Sequence, residues 1–202
     1  MKLEIRNRIL QVALERFNED GYKVVTTESL SKDIGISKRT LYAYFKSKED
    51  IFETIYSEKN ELEKAAFEKI FENIYQNTGN RFLDEIKGLA TINSKLKNRY
   101  SKLFFRDLKI YFPHLWQIEL DLRAGYSRKG FDIIWHKGIS EGVFKANIPK
   151  EIVYLMQSEV FNKILDPEIL QNLTGSIDDV VATITEIFLF GVADSDKLRT
   201  QN

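Results

Sequence analysis

Residues 26–45 read TTESLSKDIGISKRTLYAYF, and their spacing is that of two short helices joined by a tight turn. Leu30 and Ile34 lie four residues apart and therefore share one face of the first helix. Gly35 suits the turn, because glycine adopts a positive φ at little cost. The residues at the two predicted N-cap positions are Thr26 and Ser37. The stretch therefore predicts a helix-turn-helix unit.

The second helix of this unit has one apolar and one polar face. Leu41 and Phe45 lie on the apolar face, again four residues apart. The residues left away from the core are Lys38, Arg39, Thr40, Tyr42 and Tyr44. A short helix that presents two cations, a hydroxyl and two phenols suits the major groove of DNA. The alternative is a pair of amphipathic surface helices with solvated charges, and the spacing alone leaves both interpretations open.

The sequence on either side carries further identities in the same frame. Residues 35–52 read GISKRTLYAYFKSKEDIF and residues 9–22 read ILQVALERFNEDGY. Over about residues 5–55 the chain resembles TetR-type transcriptional regulators, which implies an N-terminal DNA-binding helix-turn-helix followed by a helical domain. The positions that depart from the family pattern are Glu28, Ser31 and Arg39. These departures concern the DNA sequence that is read, and the implied fold does not depend on them.

The composition favours a helical globular protein. Of the 202 residues, 43% are hydrophobic and 30% are charged, which does not fit a disordered chain. Three prolines and ten glycines are few for a turn-rich β protein. The net charge is zero, but residues 21–48 hold six basic and two acidic side chains. A basic segment on a neutral chain fits a DNA-binding head on a body with another role.

A long helix is predicted to begin at Lys48, with Ser47 as its N-cap. An ammonium group beside a helix N-terminus is a good phosphate anchor, so Lys48 is expected to contact the DNA backbone. The apolar pattern continues to Ile70, and this helix should link the head to a second domain. The predicted domains are a helix-turn-helix DNA-binding domain at residues 1–47 and a ligand-binding and dimerisation domain at residues 48–202.

The fold class predicted for the whole chain is all-α, with a three-helix N-terminal domain, a C-terminal helical bundle and about nine helices in total. Later helices are expected at about residues 82–96, 100–112 and 114–142, from Pro149, and from Ser176. The last two carry apolar stripes. The family resemblance implies that they pair with their copies in a second subunit, which would give a homodimer. The alternative is that both stripes face the protein's own core.

Aromatic residues are concentrated in the middle of the second domain, where ten of 25 fall between residues 100 and 144. Aromatic side chains between bundle helices can line a cavity for a small, partly apolar ligand. The candidate ligand-binding residues are Phe104, Phe105, Tyr111, Trp116, Tyr126 and Trp135. Core filling is the alternative for each of them, because aromatics at helical spacing usually pack against one another.

Several classes of chemistry find no support in the sequence. The chain has no cysteine and only two histidines, so thiol chemistry and a Cys- or His-rich metal site are not expected. We find no phosphate-binding glycine loop and no Gly-x-Ser-x-Gly motif, and we expect no enzyme activity, catalytic residue or cofactor. The charged N-terminus lacks a signal core, and the longest late apolar run is too short to span a bilayer. A cytoplasmic protein with no membrane partner is therefore expected.

The function predicted from these features is that of a ligand-responsive transcriptional repressor, which binds a palindromic operator as a homodimer and is released by a small molecule. Its predicted DNA-binding residues are Thr27, Lys38, Arg39, Thr40, Tyr42, Tyr44 and Lys48. The first alternative is an interaction or small-molecule-binding protein whose helix-turn-helix reads no specific DNA, with Glu28 as the hint of altered use. A catalytic bundle with a vestigial head is a third reading, and no motif supports it.

Overall fold

The computed structural model describes residues 2–76 and 99–192, and this part of the chain is entirely helical apart from its turns. We number its nine helices in order: α1 (Lys2–Glu19), α2 (Thr27–Ile34), α3 (Lys38–Tyr42), α4 (Lys48–Gln76), α5 (Lys102–Tyr111), α6 (Pro113–Ser140), α7 (Lys150–Ile164), α8 (Pro167–Leu170) and α9 (Ile177–Val192). The helix expected at about residues 82–96 lies outside the described residues. The predicted all-α class is confirmed.

The helix-turn-helix forms as the sequence predicts. The Thr26 hydroxyl accepts a hydrogen bond from the Ser29 N–H, and the Ser29 hydroxyl accepts one from the Thr26 N–H, which completes a capping box. Gly35 has a φ of 77°, the left-handed conformation that closes α2. The Ser37 hydroxyl caps α3 by accepting from the Thr40 N–H. These caps fix where α2 ends and where α3 begins.

Helix α1 covers the inner faces of α2 and α3. The buried side chains of these three helices belong to a single apolar cluster, which includes Ile9, Leu10, Ala13, Leu14, Phe17, Leu30, Ile34 and Leu41. The same cluster continues into α4 through Phe52 and into α5 through Phe104, whose rings stack with centroids 4.6 Å apart. The buried core therefore crosses residue 47, and the domain boundary at that position stays a prediction.

Helix α4 runs through both halves of the protein. It has 29 residues, which corresponds to about 43 Å at 1.5 Å per residue. The Ser47 hydroxyl accepts from the Asp50 N–H, as predicted for its N-cap. Near its start α4 contributes Ile51 and Phe52 to the head core, and near its end it packs Phe71 beside α6.

The bundle departs from the expected helix boundaries around its prolines. Helix α6 starts at Pro113 itself, because proline is tolerated where the first N–H of a helix has no partner anyway. The sequence predicts Pro149 at the first helical position of α7, but Pro149 is the N-cap of that helix. The segment after Pro167, where the sequence predicts no helix, forms the short helix α8, which Asp166 caps by accepting from the Glu168 N–H.

The apolar stripes of α7 and α9 face different ways. On α7 the stripe is solvent-exposed, with Ile152 at 54%, Leu155 at 57% and Met156 at 58% of their full exposure. On α9, Val181 and Ile184 are buried against the chain itself. No helix in the described residues is long and apolar enough to cross a membrane.

Candidate functional site

Helix α3 presents its polar side to solvent. Lys38, Arg39 and Tyr42 are exposed, whereas Thr40 and Tyr44 are half-buried. Tyr44 also packs against the apolar cluster of the head, so only part of its ring is accessible. Four of the five residues predicted on this face lie on α3, whose inner side is fixed by buried Leu41, whereas Tyr44 lies in the turn after the helix because α3 ends at Tyr42.

A hydroxyl pair connects this helix to α2. The Thr27 Oγ1 lies 3.2 Å from the Tyr42 hydroxyl, within hydrogen-bonding distance. The pair places two donors side by side at the border between α2 and α3. Hydroxyl groups in this position can contact DNA phosphates and so set the register of a reading helix.

The two cations of α3 differ in their partners. The Lys38 Nζ donates to Glu28 Oε2 at 2.7 Å, and both side chains are exposed. The hydrogen bond and the charge of Lys38 lower the pKa of Glu28, and the same contact raises the pKa of Lys38. The Arg39 side chain makes no hydrogen bond or ion pair with the described residues, and its donors are therefore available to another molecule.

Lys48 lies at the junction of α4 with the turn after α1. Its Nζ donates to the carbonyl oxygens of Tyr22 at 2.7 Å and Val25 at 2.8 Å, and it sits 4.1 Å from the centroid of the Tyr22 ring. Burial lowers the pKa of Lys48. The sequence predicted a phosphate contact here, and the structure directs two of the three ammonium donors into the protein, where they hold α4 against the head.

The turn after α1 is also tied to the bundle. The Tyr22 N–H donates to Asp107 Oδ2 at 2.6 Å, and Asp107 is buried on α5. Gly21, with a φ of 84°, leaves no room for a side chain, since a Cβ there would lie 2.9 Å from the same oxygen. Asn18 adds a second link by accepting from the Ser101 N–H at the start of α5. The head and the bundle are therefore joined by polar contacts as well as by α4.

A cavity of about 270 Å³ lies in the bundle, lined by residues of α4, α5, α6, α7, α8 and α9. Three of the six predicted ligand-binding residues line it, namely Phe105, Trp116 and Tyr126. The other three lie elsewhere. Phe104 stacks on Phe52 in the head core, Tyr111 lies 5.3 Å from the Tyr22 ring, and Trp135 packs against Phe131 and Phe144.

A buried charge network forms part of the cavity wall. The Lys59 Nζ donates to Glu63 at 2.8 Å and to Glu119 at 2.9 Å, and the Arg123 Nε donates to Glu119 at 2.7 Å. Burial by itself raises the pKa of Glu119, but Lys59 and Arg123 outweigh it and lower that pKa to about 2. Glu119 is therefore ionised at neutral pH, with its charge compensated inside the protein.

The amino-acid sequence did not predict this network. Lys59 and Glu63, and likewise Glu119 and Arg123, are spaced i,i+4, which on a helix is the usual pattern of an exposed ion pair. Only the crossing of α4 and α6 brings the two pairs together. No group of three or more His, Asp or Glu side chains in residues 2–76 and 99–192 could hold a metal ion.

The fold and the exposed face of α3 define the class of the molecule as a helix-turn-helix DNA-binding protein with a helical C-terminal bundle. Comparison with known proteins agrees. The family model described as "Bacterial regulatory proteins, tetR family" matches residues 9–55. The nucleoid occlusion factor SlmA of Glaesserella parasuis serovar 5 is 33% identical over 140 residues, which cover 60% of this chain and 69% of that protein.

Two solved structures share the fold over nearly the whole chain. A putative transcriptional regulator from Saccharomonospora viridis, in complex with choline, has a TM-score of 0.66 and 16% identity and covers 95% of this chain and 98% of that one. The regulator FadR from Bacillus subtilis, in complex with stearoyl-CoA, has a TM-score of 0.58 and 18% identity and covers 92% and 98%. The chain belongs to the TetR family of DNA-binding transcriptional regulators, a family that is not enzymatic.

Proposed function

We propose that this protein is a ligand-responsive repressor, which binds a palindromic operator as a homodimer and leaves it when a small molecule occupies the bundle cavity. Two features found in the same chain support the proposal. Helix α3 is exposed, and its Arg39 side chain has no partner among the described residues. The cavity is lined by α4, the helix that the two halves share.

The reading residues divide into base contacts and backbone contacts. Arg39 is the proposed guanine reader, because a free guanidinium can make a bidentate pair worth ~1–3 kcal/mol of discrimination. Lys38, Thr40 and Tyr44 flank it in the groove. Lys38 donates one of its three ammonium hydrogens to Glu28, and the other two can reach DNA.

Backbone contacts are assigned to the border of α3. Thr27 and Tyr42 donate to phosphate oxygens through their paired hydroxyl groups. Lys48 offers its third ammonium donor and the N-terminus of α4, while its other two donors keep α4 in place on the head. These contacts set the register of α3 and carry no sequence information themselves.

The dimer is assigned to α7 and α9. Ile152, Leu155 and Met156 leave an apolar stripe on α7 without a partner among the described residues, and Ile187 on α9 is 66% exposed. Pairing α7 and α9 with their copies would bury these side chains in a four-helix contact. Two α3 helices about 34–36 Å apart would then face the same side of the DNA.

Release by a ligand follows from the shared helix. A molecule in the cavity contacts α4 at Phe67 and Phe71, and α4 begins at the head, where Lys48 clamps it. A tilt of α4 would change the separation of the two α3 helices, so the ligand favours a dimer that fits DNA poorly. Solved neighbours with this fold hold choline or stearoyl-CoA, which supports a cavity that takes small molecules.

A selection of genomic fragments by the purified full chain tests the proposal. We expect a few strongly enriched sites beside promoters, each an inverted repeat whose half-site centres are about 10 base pairs, or a multiple of this, apart. In vitro transcription from such a promoter should be repressed by the protein. Enrichment without an inverted repeat, or sites whose occupancy leaves transcription unchanged, would refute the repressor function.

The same selection of genomic fragments distinguishes a second candidate function, that of a nucleoid occlusion factor. The relative that matches over 69% of its own length is named a nucleoid occlusion factor, and this favours a role in which bound DNA is not a promoter. For that function we expect sites scattered along the chromosome and unrelated to transcription starts. Clustering of sites at promoters favours the repressor.

A further inference from the structure

One wall of the cavity is built from aromatic ring faces. Glu63, Phe67 and Phe71 follow one another at i, i+4 and i+8 on α4 and therefore share a face. The Phe67 ring stacks on Tyr126 of α6, with centroids 4.4 Å apart and planes at 15°. Gly130 lets the Phe71 ring approach α6, since a Cβ there would lie 3.3 Å from it.

The carboxylates that line the cavity are bonded to cations, and Asp166 accepts from Lys109 through both of its oxygens. Among its described lining residues are three carboxylates, on Glu63, Glu119 and Asp166, and one cation, on Arg123. Lys59 lies behind this wall, fully buried, and Glu119 is bonded to both Lys59 and Arg123. Glu63 uses Oε2 for Lys59, and its other oxygen makes no hydrogen bond with the described residues.

Ring faces around the cavity already hold positive charge. The Arg123 guanidinium lies 5.2 Å from the centroid of Phe105 and 5.3 Å from that of Trp116. Lys129 lies 5.1 Å from the Phe71 ring. Burial, and then the carboxylates of Glu63 and its neighbours on α4, raise the pKa of Tyr126. The negative ring faces and the carboxylates therefore act in the same direction on a charge placed between them.

We propose that the cavity takes a compact organic cation with apolar substituents, such as a quaternary ammonium, with its charge against an outer ring face of the stacked Phe67–Tyr126 pair and with Glu63 as its counter-ion. The proposal rests on the cavity assigned above as the ligand site. An anion would find the cation of the cavity wall, Arg123, already bonded to Glu119, and it would be repelled by Glu63, which keeps one oxygen without a partner among the described residues. A neutral ligand would gain the apolar contacts but not the attraction of the ring faces.

Calorimetric titration of the full chain tests this class of ligand with three probes of similar size. They are benzyltrimethylammonium, its neutral carbon isostere neopentylbenzene, and the anion hydrocinnamate. Tryptophan fluorescence gives a second readout, because Trp116 lines the cavity. We expect the cation to bind about tenfold or more tightly than either of the others. Equal or tighter binding of the isostere or the anion, or binding of none of the three, would overturn the proposal.

Two matched variants test whether the charge of Glu63 causes the preference for a cation. Glu63→Gln keeps the shape of the wall and removes its charge, and we expect it to weaken cation binding about tenfold while leaving the isostere unchanged. Glu61→Gln removes one charge from the exposed side of α4, two residues away, and should have little effect. Equal effects of both variants would contradict the assignment of Glu63.

The titrations contain no DNA, which separates this proposal from the function above. A head that reads no operator would leave the cation result intact. Conversely, operator binding that an anion releases and a cation does not would keep the repressor function and reject the organic cation.

Discussion

At the scale of single residues, the surface proposed to contact DNA combines a guanidinium without a partner among the described residues, on Arg39, with a carboxylate that repels phosphates, on Glu28. Arg39 has no partner among the described residues, whereas Glu28 holds Lys38 at 2.7 Å and brings a negative charge close to the groove. The sequence identified Glu28 and Arg39 as departures from the family pattern. It could not predict that Glu28 pairs with Lys38, because these two residues lie on different helices and meet only when the turn at Gly35 folds.

We predict that Glu28→Gln strengthens DNA binding about fivefold at low salt, because the substitution removes a charge that repels phosphates and frees Lys38. The difference should fade as the salt concentration rises. Titrations of one labelled duplex at several salt concentrations measure it, with Glu19→Gln, an exposed carboxylate at the end of α1, as the control. Weaker binding by Glu28→Gln would instead mean that the carboxylate contacts a base.

A second residue-scale prediction concerns Glu119 and pH. Its folded-state pKa of about 2 lies below the value of about 4.3 expected in the unfolded chain, so the ionised form stabilises the fold. This contribution is complete above about pH 5 and is lost as the pH falls toward 2. We expect Glu119→Gln to destabilise the protein by about 3 kcal/mol at pH 7, because Lys59 and Arg123 lose their shared partner.

The pH dependence of unfolding distinguishes this mechanism from simple loss of packing. Urea unfolding should give a free-energy gap between wild type and Glu119→Gln that narrows steadily below about pH 5. Glu168→Gln, an exposed carboxylate on α8, serves as the control and should follow the wild type closely. A gap that stays constant down to about pH 3 would contradict the proposed role of the charge.

At the scale of elements, the sequence was most informative where a helix begins or ends. Hydroxyl groups at Thr26, Ser37, Ser47 and Ser176 mark starts that the structure confirms, because each cap is a local hydrogen bond. Four-residue α8 was missed, since so short a helix has no apolar period. Which aromatic residues of α5 and α6 face the cavity also could not be predicted, because that depends on how the helices cross.

Substitutions at two glycines of α6 test how closely this helix packs against its neighbours. A Cβ at Gly138 would overlap the Phe144 ring, whereas one at Gly125 meets nothing within 4 Å. We expect Gly138→Ala to destabilise the protein by about 1–3 kcal/mol through overpacking. Gly125→Ala should stabilise it by up to about 1 kcal/mol, because alanine is the better helix former. Thermal unfolding of both variants measures the difference, and a neutral Gly138→Ala would mean that α6 and the Phe144 turn are less closely packed.

At the scale of the whole molecule, the head and the bundle are one mechanical unit. Lys48 and Asp107 both bond to the backbone of Tyr22, one from α4 and the other from α5. A change at the cavity can therefore reach the head along two helices. The sequence predicted the link through α4 from its length, but it gave no sign of Asp107, whose partner lies 85 residues away.

The assembly is tested by one substitution on α7. Leu155→Glu places a charge in the exposed stripe, and we expect it to convert a dimer into monomers, since a buried unpaired carboxylate is costly in an apolar interface. Size-exclusion chromatography with light scattering should give twice the 23.6 kDa chain mass for the wild type and the single mass for the variant. Leu62→Glu, at another exposed leucine, should stay dimeric. A wild-type protein that elutes with the mass of a single chain would contradict the proposed homodimer.

The most direct test is fluorescence anisotropy on the DNA just upstream of the protein's own gene, with random DNA as competitor and salt as the variable. We predict tight, salt-steep binding that exceeds binding to random DNA, and an Arg39→Ala variant that keeps the salt dependence but loses about 1–3 kcal/mol of discrimination. Lys64→Ala, at an exposed lysine far along α4, should bind as the wild type does. Weak binding that is indifferent to sequence and unchanged by Arg39→Ala would contradict the role assigned to α3.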